Sequence, residues 1–368
     1  MNVLSISSDR KLFEPGSAVR SRTLEYGHLV DELHIIVFAK RSLGFRDESF
    51  PPNIFLYPTN AHTRWGYIPH AIIEARKLKR HGVHIDVVTA QDPFEAGLAG
   101  LFIARIFGAK LHLQVHTDFM SPYFAKESFV NRVRVMLARL LLLHADAVRV
   151  VSERIKKSVH SIVRPSTLIT VLPIFVEPIP PYDVLSGAML KKKYPQFDFH
   201  IVMASRLSRE KNIPLALEAM KEVVAEHPKT GLVIVGSGPE EEHLKKLVKK
   251  FNLEKNVVFE GWQEGLDPYC HAADAFLLTS NYEGYGMVVV EALAAGCPVV
   301  MADVGVAGEV VRNGENGLVV PVGDRDALVR AITRVVTGGV KFKVEPPELP
   351  TKEEYLAAYR ASWRDALR

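Results

Sequence analysis

The chain opens on a short apolar run, Met1–Ser8, which predicts a strand. A polar loop, Asp9–Gly16, follows, and then a helix starting near Ser17 that carries Arg20 and Arg22. Leu33–Phe38 is a second compact apolar strand. From there helical and strand periods alternate: Pro69–His81 helix, Ile85–Thr89 strand, Ala96–Phe107 helix, Lys110–Val115 strand, Phe129–His144 helix and Asp146–Val151 strand. Ser152-Glu153-Arg154 opens the next helix. Such alternation predicts an α/β fold with an open parallel sheet.

The rhythm stops over the Pro-rich stretch Leu172–Phe197, which reads as an interdomain linker. It resumes with strand His200–Ala204, a helix holding Pro214 in its first turn, strand Leu232–Val235, a helix begun at Pro239, and strand Val257–Gly261. Ala275–Leu278 is a buried strand, Met287–Ala295 a helix apolar around most of its circumference, Gly296 its closing glycine and Cys297–Met301 another buried strand. Asp326–Val336 is a helix, and a Pro-containing crossing, Val340–Pro350, leads to a helix over Lys352–Leu367. The expected division is a first domain over 1–172, a linker over 173–198 and a second domain over 199–345.

At 368 residues, 48% hydrophobic and 24% charged, the chain can bury two cores. No stretch reaches 18 uninterrupted apolar residues and the N-terminal run reads as a strand, so a cytosolic protein is expected. Cys270 and Cys297 sit in apolar surroundings and read as reduced core thiols. The net charge of +4 is uneven: residues 1–180 carry 23 Lys and Arg against 16 Asp and Glu, and the rest 23 against 26. That excess is too small and scattered for a nucleic-acid binder, and no such motif accompanies it. It suits a surface facing anionic lipid or an anionic acceptor. The helix over 129–144, with Arg132, Arg134 and Arg139 among apolar residues, reads either as a core helix with a solvated rim or as a membrane-surface helix.

The candidate chemistry concentrates in the loop Ser280–Gly286 and the helix after it. Backbone N–H groups of Gly284, Tyr285, Gly286 and Met287 at a helix N-terminus favour an anion such as a phosphate. Glu283 stands in that loop and Glu291 within the helix among apolar neighbours, where its carboxylate needs a partner such as an Arg, or a ligand. Anion-binding amides with two carboxylates suit a ligand bearing phosphates and hydroxyls together, as a nucleotide sugar does. Arg206 and Lys211, in the strand-to-helix loop S-R-L-S-R-E-K-N, are placed to clamp a diphosphate. Gly236-Ser237-Gly238 lacks the third glycine of a dinucleotide loop. In the first domain, Gln91-Asp92-Pro93 and His116-Thr117-Asp118 fall at strand ends, where ligands of such sheets sit, and nothing near them supplies a metal set.

The segment S-N-Y-E-G-Y-G-M-V-V-V-E-A-L-A-A-G-C-P-V-V, with V-G-V-A-G-E-V-V and N-G-E-N-G-L-V-V-P-V-G-D after it, resembles the donor-site signature of retaining family-4 glycosyltransferases of GT-B fold. R-L-S-R-E-K-N matches the family's Arg-Leu-x-x-x-Lys pattern. The resemblance is strong over Ile201–Leu328 and extends over Val87–Ser158. It implies two Rossmann-like domains facing across a cleft, donor in the second and acceptor mainly in the first, with the helix over 352–368 crossing back to the first. It implies transfer, with retention, from a nucleoside-diphosphate sugar to a hydroxyl of a lipid-linked or glycan acceptor, with no metal or other cofactor. By resemblance Glu291 holds the ribose, Glu283 and His116 the donor sugar, Trp262 and Gln263 the base, and Gly236 and Asp118 line the site. The family's Gly-rich loop after the first strand is represented only by E-P-G-S, carrying Gly16 and Ser17. Its Pro-Asn-Gly at the linker is replaced by Pro173-Ile174-Phe175. Two other readings stay open: a GT-B nucleotide-sugar epimerase or hydrolase, and a non-catalytic lipid-facing scaffold. The expected location is cytoplasmic, with peripheral contact to the membrane's inner face.

Overall fold

The computed structural model describes residues 1–177 and 188–368. The part of the linker reading that falls on 178–187 lies outside the described residues. By contacts the chain divides into two compact units, Met1–Pro173 with Pro350–Arg368, and Ile174–Leu349.

In unit 1, β1 (Asn2–Ser7) is followed by α1 (Ala18–Gly27), β2 (Glu32–Val37), β3 (Glu48–Phe50) and β4 (Ile54–Pro58). Then come α2 (Tyr67–Arg80), β5 (Val87–Ala90), α3 (Glu95–Phe107), β6 (Lys110–Val115), α4 (Pro122–Glu127), α5 (Phe129–Leu142), β7 (Ala147–Val150), α6 (Glu153–His160) and β8 (Leu168–Val171). The sheet order is β3-β4-β2-β1-β5-β6-β7-β8, parallel except for β3 on β4. Helix starts follow local chemistry: the hydroxyls of Ser17, Ser128 and Ser152 accept N–H groups of the first turns of α1, α5 and α6.

Unit 2 runs α7 (Met189–Lys193), β9 (Phe199–Ala204), α8 (Ile213–Glu226), β10 (Thr230–Val235), α9 (Glu241–Lys250), β11 (Val257–Gly261), α10 (Asp267–Ala272) and β12 (Ala275–Leu278). It continues through α11 (Met287–Ala294), β13 (Val299–Ala302), β14 (Gly317–Val320) and α12 (Arg325–Val336). Its sheet, ordered β11-β10-β9-β12-β13-β14, is wholly parallel. The strands are near-continuous apolar runs because helices cover both faces. Ile201, Leu217, Met220, Leu232, Leu277 and Leu328 belong to the core on one side.

The last helix, α13 (Lys352–Asp365), belongs to unit 1. A capping box of Thr351 and Glu354 starts it. It covers a polar stripe of the unit 1 sheet. Arg149, fully buried on β7, donates to Tyr355 Oη at 3.1 Å, to Gln114 Oε1 at 3.0 Å, and to the carbonyls of Leu172 at 3.2 Å and Pro173 at 3.1 Å. The Tyr359 ring lies 4.5 Å beneath the guanidinium and stacks on Tyr26 of α1. Thr170 Oγ1 donates to Asp365 at 2.9 Å. A buried cation with no carboxylate partner among the described residues is tolerated here because neutral acceptors and an aromatic face replace its water.

Cys270 and Cys297 are free and buried, and burial pushes both thiols up. Among the described residues no helix is long and apolar enough to cross a membrane.

Candidate active site

Unit 2's sheet grows one way from β9 through β10 to β11 and the other way from β12 to β14, so the crevice between β9 and β12 is its switch point. The loops leaving these strands are stitched together. Thr279 Oγ1 donates to the carbonyls of Lys211 and Asn212 at 3.0 and 3.1 Å, Asn212 Nδ2 donates to Asn281 Oδ1 at 3.0 Å, and the Asn281 N–H donates to Glu210 O at 2.8 Å. Asn212 takes φ +46° to turn the chain into α8. This scaffold brings Lys211 and Glu283 together: Nζ lies 2.5 Å from Oε1, which also accepts the Ser280 hydroxyl at 2.7 Å. Arg206, in the same loop, is exposed, and its guanidinium has no hydrogen bond or ion pair among the described residues.

Gly236-Ser237-Gly238 supports this loop from behind. A Cβ at Gly236, where φ is +127°, would stand 2.0 Å from Ser205 O, so only glycine lets the two backbones approach. The Gly236 N–H donates to Gly261 O at 2.7 Å, and the Leu207 N–H to Ser237 O at 3.0 Å.

After Glu283, Gly284 and Tyr285 are buried, and Gly286 enters α11 at φ +96° with no side chain to cap the helix. The uncapped first turn, beginning at Met287, leaves donors for an anion. Glu291, one turn further, has no hydrogen bond or ion pair among the described residues; the Arg partner a buried glutamate would need is not supplied. Burial, and then Asp267 on α10, push its carboxyl above the ordinary glutamate range. Asp267 follows the β11–α10 loop that holds Trp262 and Gln263. Trp262 is exposed, and Gln263 Nε2 donates to Glu260 O at 2.8 Å. The Glu260 side chain, which sequence reasoning did not single out, is a structural anchor: it takes Lys193 Nζ at 2.6 Å and Tyr269 Oη at 3.2 Å, and is bonded by Tyr194 Oη.

In unit 1, His116 and Asp118 follow β6. His116 Nε2 lies 3.1 Å from Gln114 Oε1, and burial, then Arg149, push the imidazole down to about 3, so it is neutral. Asp118 Oδ1 is enclosed without a hydrogen bond among the described residues, and burial raises its carboxyl. Asp92 caps α3 by accepting the N–H groups of Phe94 and Ala96, a structural use. The unit 1 switch point, between β1 and β5, is bridged by Ser7 Oγ donating to Gln91 Oε1 at 2.8 Å. Ser17 is committed as the α1 cap, its hydroxyl donating to Lys11 O at 2.5 Å, and Gly16 is exposed at φ +78°. Among the described residues no three His, Cys, Asp or Glu side chains form a group that could hold a metal ion.

Two family profiles match, Glycosyltransferase Family 4 over residues 27–210 and Glycosyl transferases group 1 over 191–346. The chain is 25% identical, over 96% of its length and 93% of the relative's, to N-acetyl-alpha-D-glucosaminyl L-malate synthase of Bacillus anthracis. It is 29% identical to alpha-monoglucosyldiacylglycerol synthase of Streptococcus pneumoniae over 59% of this chain and 51% of that one. The crystal structure of Anabaena Alr3699/HepE in complex with UDP and glucose superposes with a TM-score of 0.70 at 21% identity, covering 100% of this chain and 95% of the other. Two parallel Rossmann-like units are the GT-B fold.

Proposed function

The chain belongs to glycosyltransferase family 4 and is a glycosyltransferase, and from that premise we propose that it moves a sugar, with retention, from a nucleoside-diphosphate sugar to a hydroxyl of a lipid-linked or glycan acceptor. The observation that carries the reading is the meeting of Arg206, Lys211, Glu283 and the uncapped start of α11 at one switch point. Breaking the bond between the anomeric carbon and the phosphate oxygen leaves negative charge on a diphosphate. Arg206 is a cation with no counter-charge among the described residues and ready for it, and the Gly284–Met287 amides add donors, so the charge can be met without a metal or other cofactor. Lys211 reaches the diphosphate by sharing its ammonium with Glu283. Glu283 is then held close to the donor sugar, Glu291 is open to the ribose hydroxyls, and Trp262 and Gln263 are available to the base. Gly236 shapes the diphosphate loop. In unit 1, His116 is assigned to a sugar hydroxyl, with Asp118, Gly16 and Ser17 nearer the acceptor.

Glycolipid or cell-surface glycan synthesis fits α5, and the streptococcal relative is by name an alpha-monoglucosyldiacylglycerol synthase. Phe129, Val133, Met136 and Leu140 form one stripe along that helix, with Phe129 76% and Met136 72% exposed. A core helix with a polar rim would not leave such a stripe in water. Arg132 and Arg139 flank it, whereas Arg134 is held by Glu95 at 2.9 Å. An apolar stripe with flanking cations suits shallow, peripheral seating on an anionic bilayer at the cytoplasmic face.

A thermal-shift screen across nucleotide sugars, followed by NMR detection of sugar transfer, tests the reading. Stabilisation by one nucleotide sugar and acceptor-dependent consumption are expected. Turnover of donor alone would replace transferase by epimerase or hydrolase, and absence of any nucleotide-sugar binding would leave a lipid-facing scaffold.

A further inference from the structure

Gln114 and Arg149 lie opposite each other on neighbouring strands, β6 and β7. Arginine can only donate, so the atom 3.0 Å from Arg149 Nη1 is necessarily the Gln114 oxygen, which fixes the amide's orientation. The amide nitrogen then donates to Thr89 Oγ1 at 3.0 Å and to Tyr359 Oη at 3.1 Å. His116 Nε2 faces that same oxygen at 3.1 Å and must carry the proton, which leaves Nδ1 as a lone pair with no partner among the described residues.

We propose that Gln114 and Arg149 are positioning residues that lock His116 in its neutral Nε2–H tautomer, so that Nδ1 receives a sugar hydroxyl and refuses a phosphate oxygen. The hydroxyl half rests on the glycosyltransferase reading; the tautomer does not. The surrounding groups agree. Arg149 from β7 opposes a second positive charge, His112 four residues before His116 is itself neutral, Tyr359 from α13 closes the network, and Asp118 lies two residues beyond. His116 thus serves as a fixed acceptor, and a proton shuttle is the role the network denies it.

The test is the imidazole 15N spectrum of the full chain, with the His116 signals assigned by their loss in His116→Gln. The ligand-free protein should show the Nε2–H pattern, unchanged between pH 8 and 5. Gln114→Met, which removes the accepting oxygen, should give a mixture of tautomers, and Gln114→Glu should create imidazolium at neutral pH. An Nδ1–H form, a tautomer mixture or titration near pH 6.5 in the unaltered protein overturns the proposal, whether or not any variant folds. With UDP-glucose and UDP as paired probes, the Nδ1 resonance should move for the first and stay for the second. Equal movement with both overturns the hydroxyl contact, and a failure of both probes to bind, read by thermal shift, counts against that donor while the tautomer result stands.

Discussion

Lys211 Nζ and Glu283 Oε1 stand 2.5 Å apart, which makes the two groups assigned to opposite ends of a donor, diphosphate and sugar, partners of each other in the ligand-free chain. On the proposed reading a diphosphate would compete with Glu283 for Lys211, whereas at Arg206 it would meet no competitor among the described residues. Charge-assisted hydrogen bonds contribute about 1.5 to 3 kcal/mol, so Arg206→Ala should weaken nucleoside-diphosphate binding by about 10-fold to 100-fold. Lys211→Ala should cost less, because its ammonium is already engaged. Nucleoside affinity, measured by calorimetry alongside, should be unaffected in both; an equal fall for nucleoside and nucleoside diphosphate would make these residues structural.

Glu283→Ala releases Lys211. Nucleoside-diphosphate affinity should hold or rise, while transfer falls roughly 100-fold or more if Glu283 places charge in the transition state. Steady-state rates and Kd on the same preparation separate the two effects, and undiminished transfer would remove Glu283 from the mechanism.

Glu291 makes opposite predictions for stability and binding. Its carboxyl is raised by burial and then by Asp267, so the fold takes up a proton more readily than the unfolded chain. The stability this confers is complete below the unfolded carboxyl's range and is lost as pH rises through the raised value. At neutral pH, Glu291→Gln should thus raise the melting temperature of the ligand-free protein while weakening nucleotide binding through lost ribose hydrogen bonds. A lower melting temperature would point to a hidden partner for the carboxylate.

His112 and His116 are both pushed down to about 3, by burial and then by Arg149. Unfolded histidines titrate near 6.5, so the unfolded chain binds protons that the fold refuses, and stability declines as pH falls from about 6.5 towards 3. Each contributes at most about 1.4 kcal/mol per pH unit. Denaturant midpoints for unit 1 at pH 7 and pH 5 should differ, and His112→Gln, if it folds, should reduce the difference.

Replacing Phe129 and Met136 by Ser should lower cosedimentation with anionic vesicles several-fold and leave nucleotide binding intact. Equal recovery with neutral and anionic vesicles at low salt would remove the flanking arginines from the interaction.

Most of the fold is legible where strands are short and rich in apolar residues, whether alternating as in Lys110–Val115 or nearly continuous as in Val257–Gly261 and Ala275–Leu278, and these three fall where the pattern places them. β3 and β4 escape notice because Pro51-Pro52 and the charges of 45–49 read as loop, although Ile54–Pro58 alternates buried and half-buried positions. β8 is half-exposed and only four residues long. At the site, Lys211 and Glu283 are recognisable separately, but their pairing depends on two loops 72 residues apart meeting at a switch point. Arg149 was hidden as one charge in an apolar strand. Its partners Gln114 and Tyr355 stand 35 and 206 residues away, and no local period links them.

Because Pro350–Arg368 belongs to unit 1, that unit is encoded in two pieces with the whole of unit 2 between them. During synthesis the ribosome delivers β1 to β8 first, and Arg149 waits with its tyrosine partners still unmade while unit 2 emerges and folds. The first half must survive that interval with a wet, unclosed sheet face, and a premature stop anywhere after unit 2 strands it there. Such a truncated chain should keep a folded unit 2 and lose its first half to proteases, a vulnerability set by gene order as much as by contact energy.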